Sequence, residues 1–359
     1  MPFGGVVGGS LAVFRSSLAA FLVVSTFSGG AFAESGSEPE DQDDLLELSL
    51  EELLNLRLSA TNVMGVHHTH PKGEWMVGYQ FMYMDMDGNR SGSSRVSTDD
   101  VLAQFPVAPT SMSMEMHMFE AMYGVTDKFT VMGMLPYYRK SMDHVTGMGG
   151  RFTTDSEGLG DLGLMGMYTL FEREKHQIHF MGGLSLPTGS IDKKDATPMG
   201  RVRLPYPMQL GSGTFDLKPD LTYLGHLNNW YWGANVGATL RLGRNDNDYS
   251  LGNEYRQSVW MTRLWNSWLS TSAQVKGNIW QDVDGADPQL NPAMVPTARP
   301  DLRGGERVDF LLGVNFFKSE GKLSGHRISI EAGVPIYQHL DGPQLETDWI
   351  FKAGWQWAF

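Results

Sequence analysis

From Gly73 almost to residue 359, apolar and polar positions alternate with period two. A strand sends successive side chains to opposite faces, so this alternation predicts strands with one apolar face and one small or polar face. Residues 349–359 are the clearest case. Trp349, Phe351, Ala353, Trp355, Trp357 and Phe359 share one face, and Ile350, Lys352, Gly354, Gln356 and Ala358 share the other. In water such an aromatic face invites aggregation. Facing lipid in a closed barrel, it is what the solvent requires. Eleven further strands follow from the same pattern, at residues 74–87, 112–123, 129–139, 160–170, 176–186, 214–224, 231–242, 254–264, 268–280, 306–317 and 326–337.

The connections sort the architecture. Short ones (124–127, 171–176, 225–229, 266–267, 318–325) alternate with long ones (88–111, 140–159, 187–213, 243–253, 281–305, 338–347). Short turns on one side and long loops on the other predict an all-β, antiparallel up-and-down transmembrane barrel of about 12 strands at residues 73–359. A β-sandwich does not give such long strands with such regular alternation of loop length. An even strand count puts both ends of the barrel on the short-turn, periplasmic side, and the last strand closes on the first near Trp75 to Tyr83.

Ahead of the barrel, residues 1–33 read as a secretory signal. Arg15 precedes an apolar run from Leu18 to Phe27, and Ala31-Phe32-Ala33 supplies a small-residue cleavage site. Residues 34–72 form an acidic segment. In it Ser49 and Glu52 make a capping box for a short periplasmic helix with Leu50, Leu53, Leu54 and Leu58 on one stripe. No window of ~18 apolar residues predicts a spanning helix. With no cysteine, there is no thiolate site and no cysteine nucleophile. A formal charge of -13 argues against nucleic acid as a partner. The implied partners are outer-membrane lipid and a small solute or metal ion, and nothing fixes the oligomeric state.

The inner face carries the chemistry. Sixteen of the 22 methionines fall between Met64 and Met167. Met82, Met84, Met86, Met112, Met114, Met116, Met118, Met132 and Met134 alternate inward on the first three strands. Thioethers are soft ligands suited to Cu(I), and several weak sites along a wall permit conduction. His117 and His144 are placed near the mouth, and His67, His68 and His70 are candidates for Cu(II) or Zn(II) at the periplasmic side. Copper is thus a candidate cargo, with no resident cofactor implied. Methionine is equally a flexible apolar filler, so the same wall suits a hydrophobic or aromatic solute, or packing in a structural, non-transporting barrel. The opposite wall offers Asp216, Lys218, Arg241, Arg263, Lys276, Asp309, Glu331 and Lys352, which can pair across strands or tune a pore. No G-x-S-x-G elbow or readable triad suggests an enzyme.

Gly158-Leu159-Gly160-Asp161-Leu162, Leu184 to Ser190 (Leu-Ser-Leu-Pro-Thr-Gly-Ser), and Gly211-Ser212-Gly213-Thr214 leading to Leu221-Thr222-Tyr223-Leu224-Gly225 resemble the outer-membrane proteins grouped as "putative MetA-pathway of phenol degradation". The resemblance covers most of residues 73–359. It implies a transporter-like or channel barrel, some members being linked to aromatic degradation. The methionine-rich first third looks like a Met/His-rich variant.

Overall fold

The computed structural model describes residues 63–173, 175–318 and 323–359. The expected signal and the helix at 49–58 lie outside the described residues. Eleven strands form one closed antiparallel wall. They are β1 Trp75–Gly92, β2 Val107–Thr126, β3 Phe129–Thr146, β4 Leu162–Arg173, β5 His176–Leu186 and β6 Asp220–Leu227. The ring continues with β7 Trp230–Leu242, β8 Glu254–Asn266, β9 Leu269–Trp280, β10 Gly305–Phe317 and β11 His326–Ala358. Each pairs with its sequence neighbours, and β11 returns to β1 with Tyr79 opposite Trp355 and Tyr83 opposite Phe351. Closure leaves no sheet edge to satisfy, which the lipid demands. Among the described residues, no helix is long and apolar enough to cross a membrane.

The eleven elements cross the wall twelve times, as expected, because β11 turns back on itself. β11 runs 33 residues without a break. Its part up to Leu340 pairs with β10, and its part from Leu340 to Ala358 pairs with β1. The strands expected at 326–337 and 349–359 are two arms of one element. Residues 338–347, expected as a loop, stay extended because they find partners. The Gln338 amide donates to the Thr347 carbonyl and accepts from its N–H, both at 2.9 Å. β6 is shorter than expected because Pro219 has no N–H for the ladder. Phe215–Leu217 precedes it as a separate strand between β5 and β7. The expected long loops also hold structure. Arg151–Leu159 extends the wall beside β3, and a five-residue helix, Thr98–Leu102, is capped by Ser97.

The outer face is apolar and exposed. Leu164, Leu221, Val236, Leu312 and Ile330 form its middle, and Trp75, Trp230, Trp265, Trp268 and Trp355 ring the short-turn end. Such a patch is untenable in water and fits a bilayer with an aromatic girdle. Replacing Leu312 by Arg is expected to cost about 2–4 kcal/mol if that position faces the hydrocarbon. A urea-unfolding midpoint in lipid vesicles unchanged from the parent chain would contradict this orientation.

One strand has the opposite parity to the one expected. On β8, Trp260 is buried inside, and Arg263 is exposed outside with its guanidinium over the rings of Trp230 and Trp265. Arg263 therefore is not a lumen charge. At the interfacial girdle an outward arginine costs only about 0–1 kcal/mol. Inside, the Trp260 ring lies flat against Gly233, where a Cβ would come within 2.2 Å of it.

Trp260 turns inward because the lumen is not empty at this end. Val63 and Val66 pack with Leu224 and Trp260. The Met64 N–H donates to Glu331 at 2.6 Å, the His70 N–H to the Thr130 hydroxyl at 2.8 Å, and the Thr69 and Thr169 hydroxyls bond at 3.1 Å. These partners lie on β3, β4, β6, β8 and β11, all within a few residues of the short turns. Residues 63–70 thus cross the periplasmic end of the barrel as a plug. The chain then joins the wall where the Pro71 carbonyl presses on Gly124, a position with no room for a Cβ.

Candidate functional site

Above the plug lies a lumen cavity of about 600 Å³. One wall is Met82 and Met84 from β1, Met114, Met116 and Met118 from β2, and Met134 from β3. Cross-strand register makes this a continuous patch, with Met82 opposite Met116 and Met84 opposite Met114. The cavity is roofed by the loop after β5, where Tyr206, Pro207, Gln209 and Leu210 fold back into the mouth. That roof is tied to the wall by Lys140, which donates to the carbonyls of Pro207 (2.8 Å) and Gln209 (2.6 Å), and by the Ser156 hydroxyl, which donates to Met208.

The facing wall is charged. Lys218, Arg241, Arg256, Arg303 and Arg307 line it with Asp216 and Glu254, while Lys140 and Asp161 line the cavity beside the methionine strands. Arg241 is held by Asp216 and by Glu254 at 2.7 Å. Arg307 pairs with Asp309 at 2.9 Å, and its other nitrogen donates to Thr347 at 2.6 Å and to the Met84 sulfur at 3.8 Å. Burial pushes the Arg303 guanidinium down to about 10, still cationic at neutral pH. The cavity is therefore apolar on one side and net positive on the other.

The candidates read from the sequence separate into groups. Six of the nine methionines line the cavity, but Met86 and Met112 pack under the roof with Met142, Leu204 and Met208. Met132 belongs to a buried cluster with Met76, Met122, Met165 and Met167. His117 is not at the mouth. Its odd position puts it on the outer face, where its Nδ1 bonds the Tyr79 hydroxyl at 2.7 Å between Phe81 and Tyr137. His67, His68 and His70 lie in the plug. His67 sits 3.9 Å from Glu120, His70 bonds Glu74 at 2.8 Å, and the His68 and His70 rings lie 4.7 Å apart. Among the described residues, no three His, Asp or Glu side chains are placed to hold one metal ion. Lys352 pairs with Glu331 at 3.0 Å beside the plug, and Lys276 stands in register between Ser258 and Asp309. Lys140, Arg256 and Arg303 are lining cations that the sequence pattern does not single out. Arg256 shares the parity error of β8, and Arg303 comes from a loop with no period to read.

The sequence profile of the family described as "Putative MetA-pathway of phenol degradation" matches residues 107–295, just over half of the chain. No curated protein matches by sequence. Among solved structures, an outer membrane channel of the COG4313 type from Pseudomonas putida is similar at 14% identity and TM-score 0.58, over 83% of this chain and 100% of that one. The β domain of the Bordetella autotransporter BrkA aligns at 12% identity and TM-score 0.44, over 80% of this chain and 100% of its own. A mutant of the TodX monoaromatic hydrocarbon channel aligns at 11% identity and TM-score 0.42, over 80% and 91%. With a lipid-facing band around a closed wall and a profile match across half its length, the chain belongs to the family described as "Putative MetA-pathway of phenol degradation" and is an outer-membrane β-barrel of a Gram-negative bacterium.

Proposed function

We propose that this barrel is an outer-membrane channel for a small amphipathic solute. The solute's apolar body lies on the methionine wall, and its anionic or hydrogen-bond-accepting end faces the arginines. The observation that carries this reading is the single cavity in which six thioethers oppose a net positive wall. Thioethers are polarizable and adaptable, so they hold an apolar group without demanding one shape. Guanidinium groups hold carboxylates by paired hydrogen bonds. Two likenesses support the channel part of the reading: the family's description names phenol degradation, and the P. putida neighbour is named an outer membrane channel.

The second reading is a path for Cu(I) or Ag(I), favoured by the six sulfurs along one wall. Against it stands Arg307, whose nitrogen lies 3.8 Å from the Met84 sulfur. A cation at that sulfur would stand beside the guanidinium, a repulsion that the Asp309 carboxylate 2.9 Å from Arg307 reduces but does not remove. Reconstitution in planar bilayers separates the readings. Anion preference that falls on Arg256→Gln plus Arg307→Gln, with conductance blocked by benzoate, is the expected result. Cation preference, with silver block abolished by Met82, Met84, Met114 and Met116→Leu, would transfer the assignment to soft metals.

A further inference from the structure

A second cavity of about 580 Å³ lies outside the lumen, among the long loops. Three segments build it: the hairpin around His144 and Phe152, the strip from Thr197 to Pro205, and the loop from Gln289 to Ala298. Its lining is largely apolar, with Pro106, Val202, Leu204, Leu290, Met294 and Val295. Pockets of this size, apolar with a few polar groups, are the usual form of small-molecule sites.

Two side chains of its lining carry buried polar atoms with no hydrogen-bond partner among the described residues: Thr154 Oγ1 and Arg203 Nε. Their residues are 2% and 8% exposed. A buried polar group left unpaired is destabilising, so two around one pocket call for an explanation. The Arg203 charge is already met by Asp192 and by Asp287 at 3.2 Å, so the pocket has no free cation to select an anion. The His144 ring is stacked on Phe152 at 4.8 Å and forms a flat part of the wall.

The position of the pocket matters as much as its lining. Leu204 and Pro205 face this pocket, and the next residues, Tyr206 and Pro207, face the lumen cavity. One short strip of chain is the partition between the two spaces.

We propose that the outer pocket is a capture site for a compact, largely apolar molecule carrying one hydrogen-bonding oxygen, held before it crosses the partition into the lumen. The apolar body fills the space between Leu290, Val295 and Phe152. The oxygen meets the unpaired atom of Thr154 or Arg203. The capture site rests on the channel reading for its purpose, but its occupancy is measured apart from transport.

The test uses the full chain in lipid nanodiscs with benzophenone as a photoreactive probe and mass spectrometry to locate the label. Label is expected at residues 144–154 and 289–298, competed by unlabelled probe. It is expected to fall about tenfold in Val295→Trp, which fills the space, and in Leu290→Glu, which makes it polar. The lumen variant Arg256→Gln should leave this labelling unchanged, even if it alters conductance. Heat-shifted gel mobility verifies that each variant is folded. Label confined to the lipid-facing strands, or label in the loops that a folded Val295→Trp or Leu290→Glu barrel retains in full, would overturn the proposal. If capture is found but no solute passes, the channel reading fails and the site stands.

Discussion

Replacing residues 63–70 by a Gly/Ser linker of equal length is expected to raise single-channel conductance severalfold in planar bilayers. The plug is held by the Met64, Thr69 and His70 hydrogen bonds and by Val63 and Val66 against Trp260 and Leu224. Each hydrogen bond contributes about 0.5–1.5 kcal/mol net, and the two valines add roughly 1.5–3 kcal/mol apiece when fully buried. Ordering the segment offsets much of that. A balance of a few kcal/mol leaves the open state at roughly 0.1–10%. The parent chain should therefore show rare, brief openings of the same size as the linker variant's steady level. Glu331→Ala should lengthen those openings, because the Met64 N–H and Lys352 both lose an acceptor. A conductance that is the same with and without the segment would mean that 63–70 does not obstruct the pore.

The second large effect is expected at Asp216. It is fully buried and accepts from Arg241, from the Thr214 hydroxyl at 2.6 Å and from the Ser212 hydroxyl at 3.1 Å. Removing one partner of a buried ion pair typically costs 3–5 kcal/mol, because the other charge stays buried. Arg241 keeps Glu254, whose side chain is 42% exposed, so Asp216→Ala should sit near the low end of that range, about 3 kcal/mol. Asp216→Asn retains two of the acceptor contacts and should cost less. The measurement is the urea midpoint in lipid vesicles. The surviving barrels should also prefer anions more strongly, since one carboxylate is gone from a net positive wall. A midpoint equal to the parent's would show that the pair adds nothing to the fold.

The lipid-facing side of the barrel was legible because a bilayer imposes one rule on every outward position. The inward side follows no single rule, and the expectations fail there. On β8 both faces carry large apolar residues: Trp260 and Leu264 on one, Val259 and Met261 on the other. Which pair faces in depends on the plug, and a single strand contains no trace of that partner. His117 has the side chain of a metal ligand, but its odd position among the even-numbered methionines places it on the outer face. The methionine wall was readable from alternation alone. The arginines that give it meaning come from β7, β8, β10 and a loop, which only the closed ring brings around one cavity. The roof at 206–212 had no periodic signal, being set by hydrogen bonds from Lys140 and Ser156.

The pairing of β1 with the second arm of β11 also orders events in time. It joins Met76 to Ala358 and Met84 to Ile350, positions almost the whole barrel apart in sequence. Closing a flexible loop of that length costs about 5 kcal/mol of chain entropy, and such non-local contacts form late. The plug's anchors sit on β3, β4, β6, β8 and β11, so they stand around one ring only after the seam has joined. The cylinder is therefore expected to close before its stopper seats, so freshly refolded barrels should conduct more than aged ones until residues 63–70 find their anchors.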